Sequence, residues 1–182
     1  MTICDIFDAA YQGDFDMLKQ YYKGDINCVD KYNGLNLLQA VMSKDGKYQE
    51  RLEIVTFLLD EGIDVNFVDN KDKENALHYL FSTADDDGGL TYAEYALSVT
   101  KLLLDAGIDV NHKDRHGSNS VTNVIALNFN NEDAKLKILE MLLDAGAEYR
   151  EKDNYGFSCL DYAKRFKKEE IVKMLEERML ES

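Results

Sequence analysis

The chain has 182 residues, 45% of them hydrophobic and 31% charged, with a formal net charge of -14. That is long enough to bury a core of its own and too apolar to stay disordered. The excess of acid argues against nucleic acid or an anionic membrane surface as a partner, because phosphates would repel it, and it favours a basic protein partner.

The opening MTICDIFDAAYQG has no basic leader and no long apolar run, so no export signal is expected. No stretch approaches the roughly 18 apolar residues of a membrane span. Cys4, Cys28 and Cys159 lie far apart without a CxxC pair, which fits reduced thiols and a cytoplasmic setting better than a disulfide framework.

In chain order, DAAYQGDFDMLKQYYKGDIN (8–27) predicts a first short helix pair. A polar turn, DKYNG, follows, and then Asn36-Leu37-Leu38-Gln39, where Asn suits a helix N-cap. Leu52 and Val55 lead by helical spacing to Leu58-Leu59. Gly62 follows as a helix stop, and then the stretch IDVN. The cycle repeats. The turn DNKDKE precedes Asn75-Ala76-Leu77-His78, and Val99 and Leu102 lead to Leu103-Leu104, Gly107 and IDVN again. DRHG precedes Asn119-Ser120-Val121-Thr122, and Leu136 and Leu139 lead to Leu142-Leu143, Gly146 and AEYR. DNYG precedes Ser158-Cys159-Leu160-Asp161, and Ile171-Val172 leads to Met174-Leu175. The unit is cap, helix, turn, helix, Gly stop and hairpin-like turn.

This unit resembles the ankyrin repeat. NALH at 75–78 stands where that family writes TPLH, and GIDVN at 62–66 and 107–111 where it writes GADVN. The resemblance covers almost the whole chain as about five units in phase. It implies an all-α solenoid of helix-turn-helix units joined by short hairpin loops: an N-terminal cap repeat at 1–34, internal repeats at 35–74, 75–117 and 118–156, and a C-terminal cap repeat at 157–182.

The departures carry information. The anchors Leu38, Leu77, Val121 and Leu160 are spaced 39, 44 and 39 residues apart, against about 33 in the family. The turns at Asp30 and Asp69 each hold one residue beyond the pattern. The remaining excess, roughly 5, 11 and 6 residues, falls between the two helices of repeats two, three and four, where insertions map to one edge of a solenoid. Proline is absent, so the caps start the first helices without the Thr-Pro of the family.

No catalytic constellation emerges. The three histidines are His78, His112 and His116. The resemblance gives His78 a structural role, bonding the neighbouring loop, and His112 and His116 lack the further ligands of a metal site. Phosphate-binding and nucleophile-elbow motifs are absent. Asp85, Asp86 and Asp87 lack calcium-loop spacing and read as a solvated acidic loop. No enzyme activity, cofactor or metal is expected.

Two surfaces are candidates for a partner. The resemblance implies a concave face of turn tips and first helices that binds proteins, here Tyr32, Asn33, Lys71, Lys73, Arg115, His116, Tyr155, Phe157 and Arg165. Tyr32, Tyr155 and Phe157 lead as anchors. The second surface is the insertion 82–98, with four acids and no base. It offers Asp85, Asp86 and Asp87, and also Tyr92 and Tyr95, expected to lie partly against Tyr48 and Phe129 and partly on an exposed edge. Thr91 with Glu94 reads as a capping box there. The functional expectation is a single-domain binding module, monomeric when free. It resembles the small acidic bacterial ankyrin proteins that neutralise a basic toxin domain, a generic scaffold or effector being the alternative.

Overall fold

The computed structural model describes residues 5–82, 91–127 and 131–180. Among these, five pairs of helices follow one another: α1 (Ile6–Gln12) with α2 (Phe15–Tyr21), α3 (Leu37–Met42) with α4 (Tyr48–Asp60), α5 (Ala76–Leu80) with α6 (Tyr92–Asp105), α7 (Ser120–Ala126) with α8 (Glu132–Asp144), and α9 (Cys159–Arg165) with α10 (Glu169–Leu180). The first helices stack in order, α1 on α3, α5, α7 and α9, and the second helices form a parallel layer, α2 on α4, α6 and α8. Each unit is too short to bury its apolar face alone, so the core runs continuously between neighbours, from Ala9 and Leu18 through Leu58, Leu103 and Leu142 to Leu175. The hairpin-like turns contain almost no strand: among the described residues one isolated bridge, Val29 with Asn36, is formed.

The expected caps are in place. Asn36, Asn75, Asn119 and Ser158 each accept from a backbone N–H of the following helix. The three asparagines also reach the stretch that follows the second helix of their own repeat. Their amides donate to the carbonyls of Asp64, Asp109 and Glu148. One residue thus starts a helix and ties it to the far end of its own repeat, the amide oxygen accepting from the helix while the amide nitrogen donates across. A second ladder uses the Asn that closes each GIDVN phrase. Asn66 accepts from Asp109 N and donates to Gly107 O, and Asn111 does the same with Glu148 N and Gly146 O. Gly62, Gly107 and Gly146 take positive φ at the helix ends, as expected.

The long inter-helix connections are closed from inside. Arg51, buried on α4, donates to four carbonyls: Gly46 at 2.8 Å, Val41 at 2.6 Å, Tyr11 at 2.8 Å and Ala10 at 3.3 Å. It therefore satisfies the C-terminal carbonyls of two first helices with one guanidinium. Lys135 holds the corresponding place on α8, seven residues before Leu142 as Arg51 is before Leu58, and is fully buried against Glu132.

The third repeat carries Ala96 in that register, and there the Tyr92 hydroxyl donates to Leu80 O at 2.7 Å. This corrects the expectation of an exposed aromatic edge. Tyr92 and Tyr95 are 2% and 3% exposed, and both rings pack on Tyr48, at 5.8 and 5.1 Å. Both are core residues, and Tyr92 closes the end of α5. Asp85, Asp86, Asp87 and Phe129 lie outside the described residues. The Thr91–Glu94 capping box opens α6 as anticipated.

Candidate protein-interaction surface

Four turn tips stand in a row beside the first helices: tip 1 (30–35), tip 2 (69–74), tip 3 (114–118) and tip 4 (153–157). An aspartate opens each and organises it. Asp30, Asp69, Asp114 and Asp153 accept from the N–H groups of their own turns. Burial alone would push the Asp30 and Asp153 carboxyls up, yet the hydrogen bonds they accept bring both below the usual range. The backbone closes each tip, Asp30 N to Leu35 O and Asp69 N to Glu74 O, but Asp114 N to Ser118 O and Asp153 N to Phe157 O. Tips 1 and 2 are thus one residue longer than tips 3 and 4, as the sequence suggested.

The shorter tips are stapled to their neighbours. Arg115 N donates to Asp72 O, linking tip 3 to tip 2, and Asn154 N donates to His116 O, linking tip 4 to tip 3. Side chains reinforce the row. Arg115 Nη1 lies 2.7 Å from Asp72 Oδ1, Arg115 Nε donates to His116 Nε2 at 3.0 Å, and His116 Nδ1 meets the Tyr155 hydroxyl at 2.8 Å. The His116 and Tyr155 rings stack. Behind the tips, Gln39 Nε2 donates to Glu74 O, and His78 Nε2 meets Ser118 O at 3.2 Å, as the resemblance implied for His78. Burial pushes the His78 imidazole down, favouring the neutral ring.

Tip 1 differs. Among the described residues no backbone hydrogen bond joins it to tip 2. An internal triangle holds it instead: Tyr11 Oη donates to Asp30 Oδ2, and Asn33 Nδ2 reaches both Tyr11 Oη and Asp30 Oδ2. Between the two tips opens a groove of about 740 Å³, lined by Tyr11, Gln12, Tyr32, Asp69, Asp72 and Tyr79 among others.

The sequence candidates therefore divide. Tyr32 (87% exposed) and Tyr155 (63%) project from the first and last tips. Phe157 is half-buried against Tyr162, with the Arg165 guanidinium 5.6 Å above its ring. Lys71 is exposed and loosely paired with Asp72 at 3.7 Å, and Lys73 is exposed in a left-handed conformation, φ 60°. Arg115, His116 and Asn33 are already engaged within the row. Sequence reasoning missed Tyr11, Gln12 and Tyr79, the groove walls. The extra residue in each of tips 1 and 2 was the signal that pointed there.

Among the described residues, no three His, Cys, Asp or Glu side chains come together as a metal site needs, and no helix is long and apolar enough to cross a membrane. No curated protein matches the chain. The family model for ankyrin repeats, three copies, matches residues 6–114, well over half of the sequence. With ten helices stacked as five pairs and hardly any strand among the described residues, the chain belongs to the ankyrin repeat family and is a protein–protein interaction module.

Proposed function

We propose that the chain binds one protein partner across the row of turn tips and the first helices behind them, and neutralises that partner as a toxin-immunity protein does. The observation that carries this reading is the tying of tips 2, 3 and 4 to one another and of the row to the first helices behind it. A surface already ordered in the free protein loses little entropy on binding. It displays tyrosines at both ends, and tyrosine brings large contact area with few rotors. The net charge of -14 supports a basic partner, whose association it would accelerate.

The test is to capture the partner from the source cells, purify both proteins and measure the affinity. Tyr32→Ala with Tyr155→Ala should weaken the complex by about 100-fold, since buried tyrosine anchors carry much of such an interface. Unchanged affinity in that variant, with loss when Asp85–Asp87 are reversed to Lys, would move the interface to the 82–98 edge. For neutralisation, co-expression of the chain should restore growth of cells producing the partner. A partner harmless on its own would contradict the immunity role. The association rate should fall steeply with salt if charge steers the encounter.

A further inference from the structure

Five residues on from the anchors Leu38, Leu77, Val121 and Leu160, the first helices place Ser43, Ser82, Ala126 and Arg165 at one register. Three of these are small, and the last is a large cation. Arg165 is exposed, and its guanidinium stands 5.6 Å from the centre of the Phe157 ring. Phe157 in turn packs on Tyr162 at 5.5 Å, and Tyr162 stacks on Phe166 at 6.0 Å. Phe166 is 43% exposed, and Tyr155 projects from the same tip as Phe157. The last repeat therefore ends the row in a platform of aromatic rings under a guanidinium, which the other repeats lack.

The charge here is opposite in sign to that of the chain. Between 152 and 168, Lys152, Lys164, Arg165, Lys167 and Lys168 stand against only Asp153 and Asp161, in a chain of net charge -14. Both aspartates are occupied. Asp153 accepts from Tyr155 N, Phe157 N and the Tyr162 hydroxyl, and Asp161 closes the cap with Ser158. Lys164 pairs with Glu176, and Lys168 with Glu132. Arg165 and Lys167 are exposed and pair with no carboxylate among the described residues. A guanidinium laid on a ring keeps its in-plane N–H donors open to a carboxylate.

We propose that this platform receives an acidic segment of the protein partner, with one carboxylate on the Arg165 guanidinium, a second at Lys167, and an apolar side chain between them on Phe166 and Tyr162. Charge complementarity selects the occupant. An acidic segment neutralises both cations, a basic one is repelled by them, and the rings add apolar contact area that lysines alone do not offer. The chain's overall negative charge still draws a basic partner. The reversed sign at one end therefore fixes which way that partner lies along the row. The inference rests on the tip row being the partner-binding face, and it adds the chemistry and the direction of one contact.

The decisive variant is Arg165→Glu with Lys167→Glu, measured for affinity against the captured partner. Both side chains are exposed, and circular dichroism checks that the fold is kept. The change makes an acidic chain more acidic, so attraction of a basic partner by net charge alone expects tighter binding. The proposal expects the opposite, a loss of about tenfold, because the acidic segment is now repelled. Unchanged or tighter binding would overturn it. NMR of the isotope-labelled full chain supplies a second readout. Acetyl-Glu-Leu-Glu-amide should shift the Arg165 Nε–H and the backbone of Phe166 and Lys167, saturating in the millimolar range expected of a fragment. Acetyl-Gln-Leu-Gln-amide should leave these signals in place, and equal shifts from both peptides would also overturn the proposal. Tyr32→Ala, at the far end of the row, separates the two readings. If it weakens the complex and the double Glu variant does not, the acidic contact fails alone. If the double Glu variant weakens the complex while Tyr32→Ala does not, and tips 1 to 3 exchange amide hydrogens as in the free protein, the wider tip-row reading fails alone.

Discussion

The two ends of the tip row are built from the same phrase and finished differently. Tips 3 and 4 are short and stapled to their neighbours by main-chain bonds, whereas tips 1 and 2 are each one residue longer and stand apart across a groove of about 740 Å³. The stapled end presents a fixed surface whose polar side chains already bond one another. Among the described residues, the open end leaves the Gln12 amide nitrogen without a hydrogen-bond partner and the Glu74 carboxylate without a hydrogen bond. In a repeat protein each interface is a separate term in stability, so one junction can be left loose without unravelling the others. Behind the tips, α1 packs on α3 through the apolar core, and Arg51 bonds the C-terminal carbonyls of both helices.

That division can be broken in graded steps. The largest effect is expected from Arg51→Ala. It strips four carbonyls of their donor and empties a buried site, and should cost about 3–5 kcal/mol, read by urea denaturation. Amide exchange should show α1 and α2 released first, since the C-terminal carbonyls of α1 are bonded by this residue.

Next comes a matched pair of glycines. Gly34 of tip 1 (φ 73°) and Gly117 of tip 3 (φ 78°) both take the left-handed conformation. A Cβ on Gly34 meets nothing within 4 Å, but on Gly117 it lies 2.9 Å from Asn154 Oδ1 and 3.1 Å from Asn154 N. Gly34→Ala should therefore cost about 1 kcal/mol, from conformation alone. Gly117→Ala should cost about 2–3 kcal/mol, because it also pushes tips 3 and 4 apart. Equal costs would mean that the staple contributes nothing.

Glu74→Gln addresses the open end. The folded-state value of about 7 lies above the ordinary 4.5. The folded protein thus holds this proton more tightly than the unfolded chain, and stability falls as pH rises from 4.5 to about 7. The substitution should stabilise by about 1–2 kcal/mol at pH 8, after allowance for half exposure, and by almost nothing near pH 4. A gain independent of pH would place the strain elsewhere. The smallest effect is Lys73→Gly. It relieves a non-glycine residue at φ 60° and should stabilise by about 0.5–1 kcal/mol at any pH.

The scaffold was largely legible in the sequence because its signals are local. A capping Asn, a Leu-Leu pair and a Gly stop act within one turn of helix, and all recur in phase. The longer tips were legible by counting. Tyr92 and Tyr95 were misplaced because burial there depends on a distant register: Ala96 leaves the Leu80 carbonyl for a tyrosine hydroxyl to close, where Arg51 serves the preceding repeat. The groove was hidden for a related reason. Tyr11 and Tyr79 come from different repeats, and only the stacking of α1, α3 and α5 sets them on the same cleft.

The most direct test of the central claim is a hydrogen-exchange footprint of the full chain bound to its captured partner. The account predicts slowed exchange across all four tips, 30–35, 69–74, 114–118 and 153–157, and along α3, α5 and α9, with α4, α6 and α8 unchanged. Protection confined to the second-helix layer or to residues 82–98, with the tips exchanging as in the free protein, would contradict it.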